Sequence, residues 1–337
     1  MRTFRTCCSE NKTLPCALLL ASLLIAAALF SLCAGASGVS LWAGLADALS
    51  GVESPAARIL IHIRLPRTLA AMLSGAALAA SGVLIQGVLG NPLAGPNIIG
   101  VNAGAGFCTL LLSCLFPTAM ALLPAAAFLG ALGTSLLILF LADRVGASRM
   151  TVVLAGVAVS SILSAGTDLI TTLDPDATLG MSAFMIGGFA GVSTARLTSA
   201  ACYILPALAA SLVLAGDLDI LGLGDEVAQS LGLRVRRMRV LLLALASLLA
   251  GAAVSFSGLL GFVGLVVPHA VRRFTGGEHR ALLPLSMLGG ALFVLVCDIV
   301  ARTAFAPYEL PVGILLSLLG GPFFLLLLLK NHRGGRS

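Results

Sequence analysis

Apolar residues fall along this chain in blocks of about twenty, separated by short polar stretches that hold most of the charge. The first block runs from Leu14 to about Ala34, behind Arg2, Arg5 and Lys12. Others follow at roughly 66–89, 100–116, 119–142, 150–172, 197–216, 238–257, a short 261–271, 281–304 and 311–330. A helix crosses the hydrocarbon core in about 20 residues. Backbone polar groups in lipid must pair within their own segment, so each block predicts a helix. The expected fold is all-α and polytopic, with about ten transmembrane helices. The first block also has the shape of a signal peptide, with Ala34-Gly35-Ala36 at the cleavage position. Its span length and the nine blocks behind it favour an uncleaved helix.

Two stretches depart from a simple bundle. Gly180–Gly191 is apolar but too short to span, and contains Gly187-Gly188. It predicts an interfacial or partly inserted helix on the outer face. Gly258–Ala270 has glycines at 258, 261 and 264 and reaches Pro268. That pattern predicts a broken or half helix, which lipid tolerates only against protein or a water-filled cavity.

Composition narrows the class. At 59% hydrophobic and 10% charged, the chain excludes a soluble enzyme, a nucleic-acid binder and a disordered scaffold. The net charge of +6 comes mostly from scattered arginines, with no continuous basic face for nucleic acid. With the N-terminus inside, the inner segments hold 15 of the 20 Lys and Arg residues and the outer ones 5. That bias obeys the positive-inside rule and puts both termini in the cytoplasm. The eight cysteines lie mostly in apolar runs without metal spacing, and the four histidines are dispersed, so no metal site is expected.

The chain repeats itself. Residues 75–94 (GAALAASGVLIQGVLGNPLA) align without gaps on 251–270 (GAAVSFSGLLGFVGLVVPHA), with nine of twenty identical. The assigned topology runs the two copies in opposite directions across the membrane. Inverted-topology repeats build the midplane pathway of many transporters. A transporter is the reading that follows.

Its energy source is not within the chain. No P-loop exists, since the only lysines, Lys12 and Lys330, lack the glycine frame. Only Asp168 and Asp298 fall inside spans, both near an end, and Asp298 has Arg302 four residues on, the spacing of a structural ion pair. The long inner segment Asp217–Arg239 predicts a short helix from Gly224 or Asp225 to Gly232, with acids at its first turn. That helix is a candidate dock for a cytoplasmic partner. Outside, Arg64-Leu65-Pro66-Arg67 and Arg302 put three arginines on the face that the charge bias avoids. They are candidates for docking an acidic partner.

These residues resemble a known family. IRLPRTLAAMLSGAALAASGVLIQGVLGNPLAGPNIIGVNAGA (63–105), LGLGDEVAQSLGL (221–233), SGLLGFVGLVVPHAVRR (257–273), HRALLP (279–284), DIVAR (298–302) and ELPVGI (309–314) are similar, in order, to blocks of the FecCD-type permeases. These are ABC importer permeases for iron-siderophores and cobalamin. The resemblance implies the type II permease fold over residues 14–330, with a coupling loop at about 217–239 and short cytoplasmic ends at 1–13 and 331–337. It implies a second permease subunit (identical or not), two cytoplasmic ATPase subunits and an extracytoplasmic substrate-binding protein. ATP would be used by the ATPase partner, with no cofactor, metal or catalytic residue on this chain.

Residue by residue, the resemblance assigns Arg64, Arg67 and Arg302 to binding-protein docking. It assigns Asp225, Glu226, Ala228, Leu231 and Gly232 to ATPase coupling. Gly82, Gln86, Asn91, Pro92 and Pro96, where the second span yields to its inner loop, are candidates for gating the pathway. The expected cargo is an iron chelate, first a siderophore, with cobalamin or heme as alternatives. The stretch Met181–Val192 often carries a tryptophan in this family, whereas the only one here is Trp42.

Overall fold

The computed structural model describes residues 10–33, 47, 50, 54–145, 148–305 and 308–334. The Ala34–Ala36 cleavage motif, Trp42, Cys7 and Cys8 lie outside them. Among the described residues the α-helices run in order: α1 Glu10–Cys33, α2 Pro55–Leu89, α3 Val101–Leu115, α4 Met120–Val145, α5 Arg149–Leu173, α6 Pro175–Ile186, α7 Thr194–Val213, α8 Ala215–Gly222, α9 Asp225–Ser230, α10 Val235–Ser257, α11 Val263–Thr275, α12 His279–Thr303 and α13 Val312–Gly334. The described residues contain no strand. Seven helices (α1, α2, α4, α5, α7, α10 and α12) are long and apolar enough to cross a membrane, and α3 and α13 are shorter apolar helices. With the half-helix α11 they account for the ten expected segments.

Caps set several of the starts. The hydroxyls of Ser54, Ser148 and Ser193 accept from the backbone N–H groups of Ala57, Thr151 and Arg196, and the Asp174 carboxylate accepts from Ala177. Each takes one donor that the first helical turn leaves unpaired.

Helix α2 is the centre of the bundle, enclosed by α10, α11 and α12. Lipid tails are as apolar as leucine, so helices in a membrane associate through close packing of small residues. The buried face of α2 is built from them: Ala70, Ala71, Ser74, Gly75, Ala77, Ala79, Ala80, Ser81 and Gly82. A Cβ on Gly75 would lie 2.1 Å from the Gly290 carbonyl oxygen of α12, so backbone meets backbone. Gly75→Ala is therefore expected to destabilise the protein by about 2–3 kcal/mol, read as a lower thermal midpoint in detergent. Gly133→Ala on α4, with nothing within 4 Å of its Cβ, is expected to leave the midpoint unchanged; equal effects would refute the packing argument.

The two repeat copies run antiparallel, as expected. Ser74 donates to Ser257 and Ser81 to the Ala246 carbonyl, so numbers rise along α2 as they fall along α10. The copies differ in where the helix stops. The first continues to Leu89, while the second ends at Ser257 and resumes at Val263.

That break is the one the sequence predicted. Gly258 sits at φ +70° and Phe262 at φ +65°. A side chain at 258 is excluded twice, by that backbone angle and by the Phe184 carbonyl oxygen 2.4 Å from its Cβ position. The short helix at 180–191 has different bounds from those expected. It spans Pro175–Ile186 and stops before Gly187. The following backbone is tied down instead: Gly188 N–H donates to Ser257 O, Leu259 N–H to Phe184 O and Gly313 N–H to Gly187 O. Irregular backbone is thereby satisfied by protein.

Candidate functional site

At one end of the bundle, Arg64, Arg67 and Arg302 converge on the end of α1 and on Asp298. Carbonyls at the C-terminal end of a helix attract cations. Arg64 Nη1 donates to Leu32 O at 2.7 Å and Cys33 O at 3.1 Å. Arg302 Nη2 donates to the Ser31 carbonyl and hydroxyl, each at 2.7 Å. Arg67 clasps both oxygens of Asp298 at 3.0–3.2 Å and reaches Glu309 Oε2 at 2.7 Å. Arg302 Nε lies 3.7 Å from Asp298 Oδ2, the ion pair expected from their spacing.

Little of these three guanidinium groups lies in solvent. Arg64 and Arg302 are buried, Asp298 is 1% exposed, and only Glu309, at 42%, faces outward. The physical reason is that a carboxylate within a membrane helix requires cations beside it, and carbonyls at a helix C-terminus attract them. Beside the cluster, a cavity of about 280 Å³ is lined by Arg67, Arg196, Glu309, Phe184, Phe189 and Pro311.

At the opposite end, α9 forms as predicted. Gly224 at φ +104° precedes it and Gly232 at φ +86° follows it. Ala228 is buried, whereas Leu223, Val227 and Leu231 are exposed at 61%, 46% and 60%, four residues apart. Val227 lies in α9 and the two leucines flank it; exposed apolar side chains grouped on a polar segment mark a protein contact. Glu226 is exposed alongside it. Asp225 fastens the helix to two spans: Arg239 of α10 donates to both its oxygens at 2.9 Å, and Arg149 of α5 lies 3.6 Å away. Asp143 and Arg236 pair α4 with α10 nearby.

The sequence reading missed a further tie. Asp219 of α8 accepts from the backbone N–H of His279 at 2.7 Å, with the imidazole Nδ1 also 2.7 Å away. It thereby caps α12 from a separate helix. The signal in the sequence was an acid in the loop before α9, without a visible partner.

Of the gating candidates, Gly82, Gln86 and Pro96 converge on Gly264. The Gly82 Cβ position lies 1.9 Å from Gly264 O, Pro96 Cδ lies 3.1 Å from the Gly264 Cβ position, and Gln86 donates to Gly264 O. Asn91 and Pro92 do not join them. They form the exposed turn after α2, where Asn91 Oδ1 accepts from Leu93 N–H at 2.9 Å.

Helix α5 leaves a polar face uncovered. Ser161, Ser164, Asp168 and Thr172 are exposed, and Ser160, Ser164 and Asp168 line a shallow cavity with Asn97. Among the described residues no group of three or more His, Cys, Asp or Glu could hold a metal ion.

With this geometry in hand, comparison with known proteins decides the class. The model of the FecCD transport family matches residues 23–330. This chain belongs to the FecCD transport family. A FecCD member is an all-helical, multi-pass permease of the membrane, and the fold agrees with that. The hemin transport system permease protein HmuU of Yersinia pestis is 41% identical, covering 81% of this chain and 84% of its own. The Fe(3+)-citrate import system permease protein YfmE of Bacillus subtilis is 34% identical, covering 96% and 97%. The Fe(3+) dicitrate transport system permease protein FecD of Escherichia coli is 39% identical, covering 81% and 85%. A solved structure, described as an inward-facing conformation of a metal-chelate type ABC transporter, superposes with a TM-score of 0.83 at 31% identity. It covers 93% of this chain and 98% of that one.

Proposed function

We propose that this FecCD permease is the membrane subunit of an ATP-driven importer, carrying an iron chelate across the cytoplasmic membrane of a prokaryote. The observation that carries the reading is the family match over residues 23–330. Relatives named for hemin and ferric citrate support an iron chelate as cargo. A siderophore is the first reading, and the 41% identity to the hemin permease favours heme as the second. Cobalamin import by the same machinery ranks behind both.

Two separate ATPase subunits would dock on the exposed Leu223–Val227–Leu231 stripe. Asp225, bonded to Arg239 and beside Arg149, would pass their motion into α10 and α5, and the inverted halves would then rock between outward- and inward-open states. A second permease subunit would face the hydroxyls and Asp168 of α5, giving that face the water it needs. The arginine bias supports cytoplasmic termini and an outer Arg64–Arg67–Arg302 cluster. There a carboxylate of the binding protein would exchange with the exposed Glu309 for Arg67. An ion-coupled carrier would need a membrane acid essential for uptake; Asp298 is held by Arg67 and Arg302, so neutralising Asp168 of α5 is the sharper test of that alternative.

The test is uptake of radiolabelled ferric siderophore, ferric citrate, hemin and cobalamin by cells carrying the chain with its own ATPase and binding protein. Uptake of an iron compound that stops when ATP is depleted but survives an ionophore is the expected result. Uptake abolished by the ionophore alone, or of cobalamin alone, would overturn the proposal.

A further inference from the structure

Helix α11 has two weak points. It begins at Phe262, the one non-glycine residue at positive φ among the described residues. It also carries Pro268 in its interior. Proline has no N–H, so the carbonyl four residues earlier, that of Gly264, loses its helical donor. Gly264 is buried, where an unanswered carbonyl is costly.

Gln86 of α2 supplies the missing donor. Its side-chain Nε2 donates to Gly264 O at 3.1 Å, and its Oε1 accepts from Arg272 Nη2 at 3.2 Å. Arg272 stands one turn beyond Pro268 on the same helix. Both ends of a buried amide therefore serve α11, on either side of its proline. The reach depends on Gly82, whose missing side chain lets the Gly264 carbonyl approach α2. The neighbouring Gly87 packs on Leu218 of α8, which leads into α9.

We propose that Gln86 is a positioning residue for transport. It replaces the hydrogen bond that Pro268 removes, and so holds the half-helix α11 against α2 in this conformation. The bond joins two helices instead of two turns of one. Any swing of α11 away from α2 must break it, so it weights the two states of a transport cycle differently. A leucine or methionine at 86 would fill the space and leave the carbonyl unanswered. An alanine at 268 would return an N–H to that carbonyl and make Gln86 dispensable. This inference rests on the reading of the chain as a transport permease, but its first measurement does not.

That measurement is hydrogen–deuterium exchange on the purified chain in lipid nanodiscs. Gln86→Met is expected to speed exchange across Leu265–Phe274 about tenfold while leaving α4 unchanged. Adding Pro268→Ala is expected to return it to within about twofold of wild type. Unchanged exchange in Gln86→Met, or no reversal by Pro268→Ala, would overturn the proposal. Should Gln86→Met fail to accumulate in membranes, accumulation of the double variant upholds the proposal and its absence overturns it.

Uptake of radiolabelled ferric siderophore, ferric citrate and hemin in cells carries the transport part. A loss of about tenfold in Gln86→Met, recovered in the double variant, is expected. Wild-type uptake in Gln86→Met despite faster exchange would refute a transport role. A wild-type protein that imports none of these probes would sink the proposed cargo, and leave the exchange comparison to decide the role of Gln86.

Discussion

The Asp298→Ala protein is expected to reach the membrane at a small fraction of the wild-type level, and to melt far below wild type in detergent. Among the described residues Asp298 is the buried carboxylate of the cluster of Arg64, Arg67 and Arg302, and it is 1% exposed. Removing it leaves the buried Arg302 guanidinium without its carboxylate and Arg67 with the half-exposed Glu309 alone. Breaking a buried ion pair from one side costs about 3–5 kcal/mol, because the surviving charge is stranded. The loss should extend to α1, whose last carbonyls depend on Arg64 and Arg302 being held in place. Glu309→Gln is the control. It removes the other carboxylate on Arg67, but Glu309 is 42% exposed, so its loss should cost about 1 kcal/mol or less. A melting midpoint for Asp298→Ala equal to that of Glu309→Gln would show that the cluster does not hold the helices together.

The second large effect is expected at α9 and the apolar side chains around it. Changing Leu223, Val227 and Leu231 together to serine should abolish association with the ATPase subunits and all ATP-driven uptake, without lowering the amount of folded protein. Each side chain is at least 46% exposed, so the fold gains little from it. In an interface each would bury an apolar side chain whose transfer from water is worth about 1.5–3 kcal/mol. Interface energy concentrates in a few such central residues, so losing three of them should weaken binding by at least about a hundredfold. The measurement is co-purification of the ATPase with the tagged permease, together with uptake. Full association in the triple variant would move the docking surface elsewhere. Loss of folded protein would show that the stripe packs within the chain.

Much of this was legible along the chain. The ten segments, the break after Ser257 and the helix between Gly224 and Gly232 were all expected, and each rests on a local rule. Spans follow from the demand that lipid places on the backbone, and the short helix from its acids and flanking glycines. The family was legible too, because its blocks lie in order along the chain.

Other features could not be read that way. The same Ser-Gly pair occurs twice, as Ser81-Gly82 and as Ser257-Gly258, within matching stretches. In the first it is helix interior and in the second a helix end. The difference lies in α6, whose Phe184 carbonyl receives the Leu259 N–H and gives the broken backbone a partner. The arginines at 64, 67 and 302 tell the same story. The sequence shows them as candidates for docking an acidic partner, but the groups they hold within the chain are the end of α1 and an aspartate more than two hundred residues from Arg67. Gln86 reads as one polar residue in an apolar span until the proline of another helix is brought beside it.

The sequence by itself determined the number of segments, their helical form and the kind of machine they build, because solvation by lipid acts on each segment separately. The tertiary structure alone decided which buried carbonyls and charges answer one another. That choice depends on which helices touch, and the partners lie as many as 271 residues apart.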